Sequence, residues 1–181
     1  MLARRLGFGG LVLGLILGSS VVMTAQDKSE TKETFKKFSP DGKFEIMMPA
    51  DPKDASQNVE GLKVKIWAAE SGKSGAYLVS STELPANPGE KEIDEVLKQS
   101  AQGQIKGMGG KEKKTTAIKL DKYKGLEVEA EIPARMGVSL SRVYIADGHL
   151  YQLIVIGEKE FVESKEAKKF MDSFKLTGKE K

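Results

Sequence analysis

The 181-residue chain has no cysteine and one histidine, His149. Thiolate catalysis, disulfide frameworks and zinc sites built from Cys/His clusters are therefore excluded together. Arginine is almost as scarce. Arg4 and Arg5 open a hydrophobic N-terminal stretch, and after residue 25 only Arg135 and Arg142 remain, every other basic group being Lys. Phosphate and base-edge recognition favour the bidentate guanidinium fork, so nucleic acid is not an expected partner. Net charge of one sign is missing too, because the 27 basic groups after residue 25 face 26 acidic ones. What is present, 39% hydrophobic, 30% charged and 7% aromatic residues, is the composition of one soluble globular domain.

Residues 1–25 begin with the Arg pair, run through an apolar stretch to Val21 and Val22, and end at Thr24 and Ala25 before the polar Gln26. That is the pattern of a secretory signal peptide, which places the mature protein in the periplasm or outside the cell. The competing reading is an uncleaved anchor, since residues 6–23 nearly match a bilayer's thickness. Five glycines in that window and the small residue Ala25 favour cleavage. Residues 26–33 read as a flexible linker, 34–177 as a single domain and 178–181 as a charged tail.

Within the domain, Phe35 to Phe38 leads through Ser39, Pro40, Asp41 and Gly42, a turn signal, into an apolar run that ends at Pro49. Leu62, Val64, Ile66 and Ala68 alternate with Lys63, Lys65 and Trp67 as in a strand, and residues 76–82 read as its neighbour. Ile93, Val96, Leu97, Ser100, Ala101 and Ile105 fall on one helical stripe, acidic at its start and followed by Gly107, Gly109 and Gly110. Two further strands cover 112–120 and 125–132, the second alternating Leu126, Val128, Ala130 and Ile132 with Glu127, Glu129 and Glu131, and Phe44, Leu126, Val128, Leu153, Val155, Phe170 and Phe174 are expected in the core. The clearest hairpin joins 138–146 to 149–156 through Asp147 and Gly148, a type I′ turn pairing Tyr144 with Tyr151 and Ala146 with His149. Its second strand is apolar on both faces and so belongs at the centre of a sheet covered on both sides. A last helix is expected over 161–173. The class is α+β, with an antiparallel sheet of about six or seven strands and two main helices.

The order of these landmarks resembles the family of PsbP, the extrinsic protein of photosystem II, and its exported bacterial relatives. The matching pieces are Phe44–Pro49, the run Leu-Asp-Lys-Tyr-Lys-Gly-Leu-Glu at 120–127, Arg142 and Tyr144 with Tyr151 and Leu153, and the run from Phe170 to Leu176. Together they span nearly the whole expected domain. The resemblance implies an α/β/α sandwich and a non-enzymatic binding or assembly role. It carries over no photosystem-contacting residue.

Sequence signatures of catalysis fail one by one. Gly72, Lys73 and Ser74 end like a phosphate-binding loop, but Trp67 stands where its first glycine belongs. Glu112 replaces the third glycine of a dinucleotide fingerprint after Gly107 and Gly109. Glu127, Glu129 and Glu131 lie on one strand face with Lys neighbours, the pattern of solvated cross-strand pairs. Asp51 and Asp54 lack the spacing of a calcium loop. No cofactor or metal is expected. One constellation stands out, since the hairpin register puts Arg142, Tyr144, Tyr151 and His149 on one face, where they could hold an anionic or aromatic ligand; Trp67 joins them as a candidate. The plainer alternative buries the tyrosines, and Trp67, beneath a helix with Arg142 at the rim. His149, beside a turn, is expected to lack a fixed partner and so to be neither base nor metal ligand. The reading is therefore an exported non-catalytic binding or assembly domain whose partner is a protein or small ligand. A hydrolase without a sequence signature and a membrane-tethered stalk domain stay open beside it.

Overall fold

The β9–β10 hairpin, Gly137–Ala146 and His149–Gly157, organises the molecule. Asp147 and Gly148 take φ of 47° and 73°, the left-handed pair that a type I′ turn requires. The register that follows pairs Ala146 with His149 and Tyr144 with Tyr151, as the sequence predicts. In the computed structural model, residues 34–49, 51–59, 61–72, 74–133 and 137–177 are described. The expected signal peptide, linker and tail lie outside the described residues.

Around the hairpin the chain runs as β1 (Phe35–Phe38), β2 (Phe44–Pro49), β3 (Lys53–Asp54), β4 (Gln57–Val59), β5 (Leu62–Ser71), β6 (Gly75–Glu83), α1 (Glu90–Gly107), β7 (Lys111–Leu120) and β8 (Tyr123–Ile132). After β9 and β10 come α2 (Lys159–Val162), α3 (Lys165–Asp172) and β11 (Lys175–Leu176). The large sheet has the order β3-β5-β6-β10-β9-β8-β7, with β4 also paired to β5, and every pairing is antiparallel. Its central strand is β10, whose residues 150–156 are all buried, as a strand apolar on both faces must be.

Each face of that sheet carries its own core. On one side α1 lays Leu97, Ala101 and Ile105 against Val64, Ile66, Val128, Val143 and Ile154. The helix starts where the Glu92 carboxylate accepts the Gly89 N–H at 3.0 Å, satisfying one of the donors a helix start leaves free. On the other side the covering layer is mixed: a three-stranded sheet β1-β2-β11 together with α2 and α3 packs Phe44, Ile46, Met48, Phe170 and Phe174 onto Tyr77, Val79, Leu153 and Val155.

Three expectations are corrected. The sheet holds eight strands, and a separate small sheet helps to cover it, so one outer layer of the sandwich is β as well as α. Strands of two or three residues such as β3, β4 and β11 are too short to show a period. The C-terminal helix is two helices, because Ser164 caps a new start by accepting the Ala167 N–H at 3.1 Å. Leu126, expected in the core, is only half-buried, since its outer neighbour is the exposed edge residue Ala117.

Candidate functional site

Side chains alternate along a strand, so the hairpin register places Arg142 and Tyr144 of β9 and His149 and Tyr151 of β10 on one face. The structure brings these four together, and Trp67 of β5 shares the face. It also covers most of them. Tyr144 is 4% exposed and lies parallel to Phe174, with ring centres 6.0 Å apart. Tyr151 is 2% exposed and meets the rings of Phe44 and Phe174 at 5.9 and 5.6 Å. Trp67 packs edge-on against Phe38 and Phe44 at 5.7 and 5.8 Å, so strands rather than a helix cover it. Burial pushes the Tyr144 phenol up, and burial aided by the charges of Asp41 and Asp147 pushes Tyr151 up to about 12. Both phenols are neutral, packed groups.

Arg142 reaches the margin of this cluster. Its Nε donates to Glu127 at 2.7 Å, and its Nη1 donates to Asp172 and to the Met171 carbonyl, each at 2.9 Å. That carbonyl belongs to the last turn of α3, where a cation is favoured. Burial opposes the guanidinium charge, but the bonds to Glu127 and Asp172 outweigh it and hold the pKa above its ordinary value. Arg142 thereby fastens α3 to the sheet.

Two openings flank the sealed aromatic face. Beside Arg142 lies a cleft of about 610 Å³ whose floor includes Val138, Leu140 and Val162 and whose sides carry Glu127, Glu129 and Glu131 opposite Lys159, Glu163 and Lys168. Lys113 meets Glu131 at 2.8 Å, and that hydrogen bond holds the Glu131 carboxyl below its ordinary range. At the hairpin end lies a second opening of about 370 Å³, lined by Asp41, Lys43, Lys63, Lys65, Glu83 and His149 among others.

His149 differs from expectation. Its Nδ1–H donates to the Asp147 carbonyl at 2.8 Å, which leaves Nε2 to accept from Lys43 Nζ at 2.6 Å. The imidazole is half-buried and fixed at both nitrogens. Lys43 was invisible as its partner because the two stand 106 positions apart. Asp41 offered a signal only as a turn residue; in the fold its carboxylate takes the Lys43 N–H at 3.1 Å and Lys65 Nζ at 3.2 Å. Among the described residues, no group of three or more His, Asp or Glu is placed to hold a metal ion, and no helix is long and apolar enough to cross a membrane.

No protein-family model and no curated protein matches the chain. Among solved structures, the solution structure of cyanobacterial PsbP (CyanoP) from Synechocystis sp. PCC 6803 superposes with a TM-score of 0.52 at 12% identity, over 84% of this chain and 98% of that one. The fold is PsbP-like. A protein from Bacteroides thetaiotaomicron also superposes, with a TM-score of 0.48 at 16% identity over 80% of this chain; the match spans about half of that protein's length. The PsbP-like fold bears out the resemblance read from the order of landmarks, while at 12% identity no residue role passes from CyanoP to this chain.

Proposed function

We propose that the chain is an exported, non-catalytic binding or assembly domain that docks a protein partner in the cleft beside Arg142. The observation that carries this reading is the division of labour on one sheet face. The aromatic side chains are consumed in packing, and the open surface next to them combines an apolar floor with rims of both charge signs. A desolvated apolar centre ringed by polar groups is the anatomy of a protein contact. The PsbP-like fold is consistent with such a role. The hydrolase alternative gains no support from His149, whose two ring nitrogens are held by the Asp147 carbonyl and the Lys43 ammonium rather than by a nucleophile and an acid.

The test is site-specific photocrosslinking in the native exported fraction. A photoreactive side chain in place of Leu140 should capture one discrete protein, and Val162→Glu should abolish that product. A photoreactive side chain at Lys119, on the exposed edge strand β7, should not capture it. Absence of a product from Leu140, or the same products from both positions, refutes docking in this cleft.

A further inference from the structure

The opening at the hairpin end is built from positions far apart in the chain that the topology gathers around one imidazole. Lys43 comes from the turn before β2, and Lys63 and Lys65 are alternate residues of β5. Ser81, almost fully buried, sits opposite Lys65 on β6, and Tyr151 is the next residue in the same cross-strand row. Of the two acids in the lining, Asp41 is already committed: one oxygen takes the Lys43 N–H and the other takes Lys65 Nζ. Glu83 stands exposed at the rim as the strand partner of His149.

The informative contact is between Lys43 and His149. A half-buried ammonium ordinarily finds a carboxylate, yet among the described residues Lys43 makes no ion pair and donates a hydrogen bond to His149 Nε2 at 2.6 Å. With three lysines against Asp41 and Glu83, the lining keeps an excess of positive charge. A small dianion entering the opening would take a hydrogen bond from Lys43 in place of the ring nitrogen, with Lys63 and Lys65 in the same lining. The other groups facing the ring are accounted for. Tyr151 stacks on it at 5.9 Å and is neutral, and Asp147 holds Nδ1–H through its carbonyl while its carboxylate takes the Tyr123 hydroxyl. Lys63, Lys65 and Asp41 line the same opening, with Glu83 at its rim.

We propose that this opening binds a phosphate-type dianion, free phosphate or a phosphomonoester, held by Lys43 and Lys63 beside the His149 ring. The site lies at the other end of the face from the Arg142 cleft, so its failure leaves the docking proposal standing.

His149 is the only histidine, which makes its ring proton resonances a unique reporter. The experiment follows them by NMR as inorganic phosphate is added to the folded protein at fixed pH, chloride being used to match ionic strength. Phosphate should move these resonances along a saturating curve, the shift expected of a ligand that displaces the Lys43 contact to the ring. Lys43→Gln and, on the other element, Lys63→Gln should each remove most of that shift, whereas Lys119→Gln on β7 should leave it intact. Glycerol phosphate in place of inorganic phosphate distinguishes the sources: half-saturation at lower concentration assigns the site to a phosphomonoester, and equal half-saturation to free phosphate. No phosphate-dependent shift, an equal shift with chloride alone, or a shift that survives both lysine substitutions overturns the proposal.

Discussion

Gly125 of β8 lies directly opposite Tyr144 of β9, and the tyrosine ring rests on the bare glycine. A Cβ added there would stand 2.4 Å from Tyr144 Cδ1, 2.7 Å from Cε1 and 2.7 Å from the Val143 carbonyl oxygen. Carbon atoms in contact prefer about 3.5–4.0 Å, so Gly125→Ala must drive the ring back by roughly 1 Å. The retreat is blocked, because the other side of Tyr144 is the parallel ring of Phe174, itself wedged against Phe44 and Tyr151. Overpacking of this kind costs about 1–3 kcal/mol. Stiffening of the unfolded chain returns about 0.4–1 kcal/mol. The expected net loss is about 1–2 kcal/mol. Trp67, the only tryptophan, sits in the same core and reports unfolding by its fluorescence in a urea titration. The diagnostic step is the cycle with Tyr144→Ala, a substitution that removes the ring the new methyl meets. In that background the Gly125→Ala penalty should fall to less than half, a coupling of about 1 kcal/mol. A Gly125→Ala midpoint equal to wild type, or a penalty that is the same with and without the Tyr144 ring, refutes the account of this face.

Two further outcomes are expected. Phe170→Ala should lower stability by about 3–5 kcal/mol in the same urea assay, since the ring is fully buried against Tyr77 on the sheet. Raising the pH should also unfold the protein through Tyr151. Its phenol ionises at about 12 in the fold against 10.0 when free, so the stabilisation of the neutral form is complete below pH 10 and is lost as pH climbs through about 12. The loss amounts to about 2–3 kcal/mol by the usual conversion of pKa shifts. Urea midpoints measured across that window should fall steeply in the wild type and less steeply in Tyr151→Phe, and parallel slopes would contradict the assignment.

Long, periodic elements were legible in the sequence because period and turn chemistry act locally. The alternation over Leu126, Val128, Ala130 and Ile132 marked β8 as a strand, and the Asp147–Gly148 turn set the correct register between β9 and β10. Placing Arg142, Tyr144, Tyr151 and His149 on one face followed from that register alone. Whether the face was open did not follow, because it depends on β2 and α3, which meet it from distant parts of the chain. The same holds for the Lys43 contact to His149 and for Gln104, a polar residue on the buried side of α1 whose side-chain oxygen faces Gln152 at 3.4 Å. The Ser164 cap was missed because Lys and Glu on both sides of it continue a helical composition.

The small sheet places β2 between β1 and β11, pairing Phe44 with Leu176, and the Met47 N–H donates to Ser173 Oγ across 126 positions of chain. A consequence is one of timing. The large sheet gains all its long strands from residues that precede Glu158, whereas the layer over its aromatic face is completed only by residues 165–176. In a nascent chain, emerging at about 5–20 residues per second, Tyr144 and Tyr151 therefore lack the Phe174 ring that both pack against until residues 165–176 follow. Contacts of such long sequence separation form slowly, because the loop must close before they contribute. The arrival of residues 165–176 thus sets how long that part of the aromatic face stays open to factors that bind exposed rings.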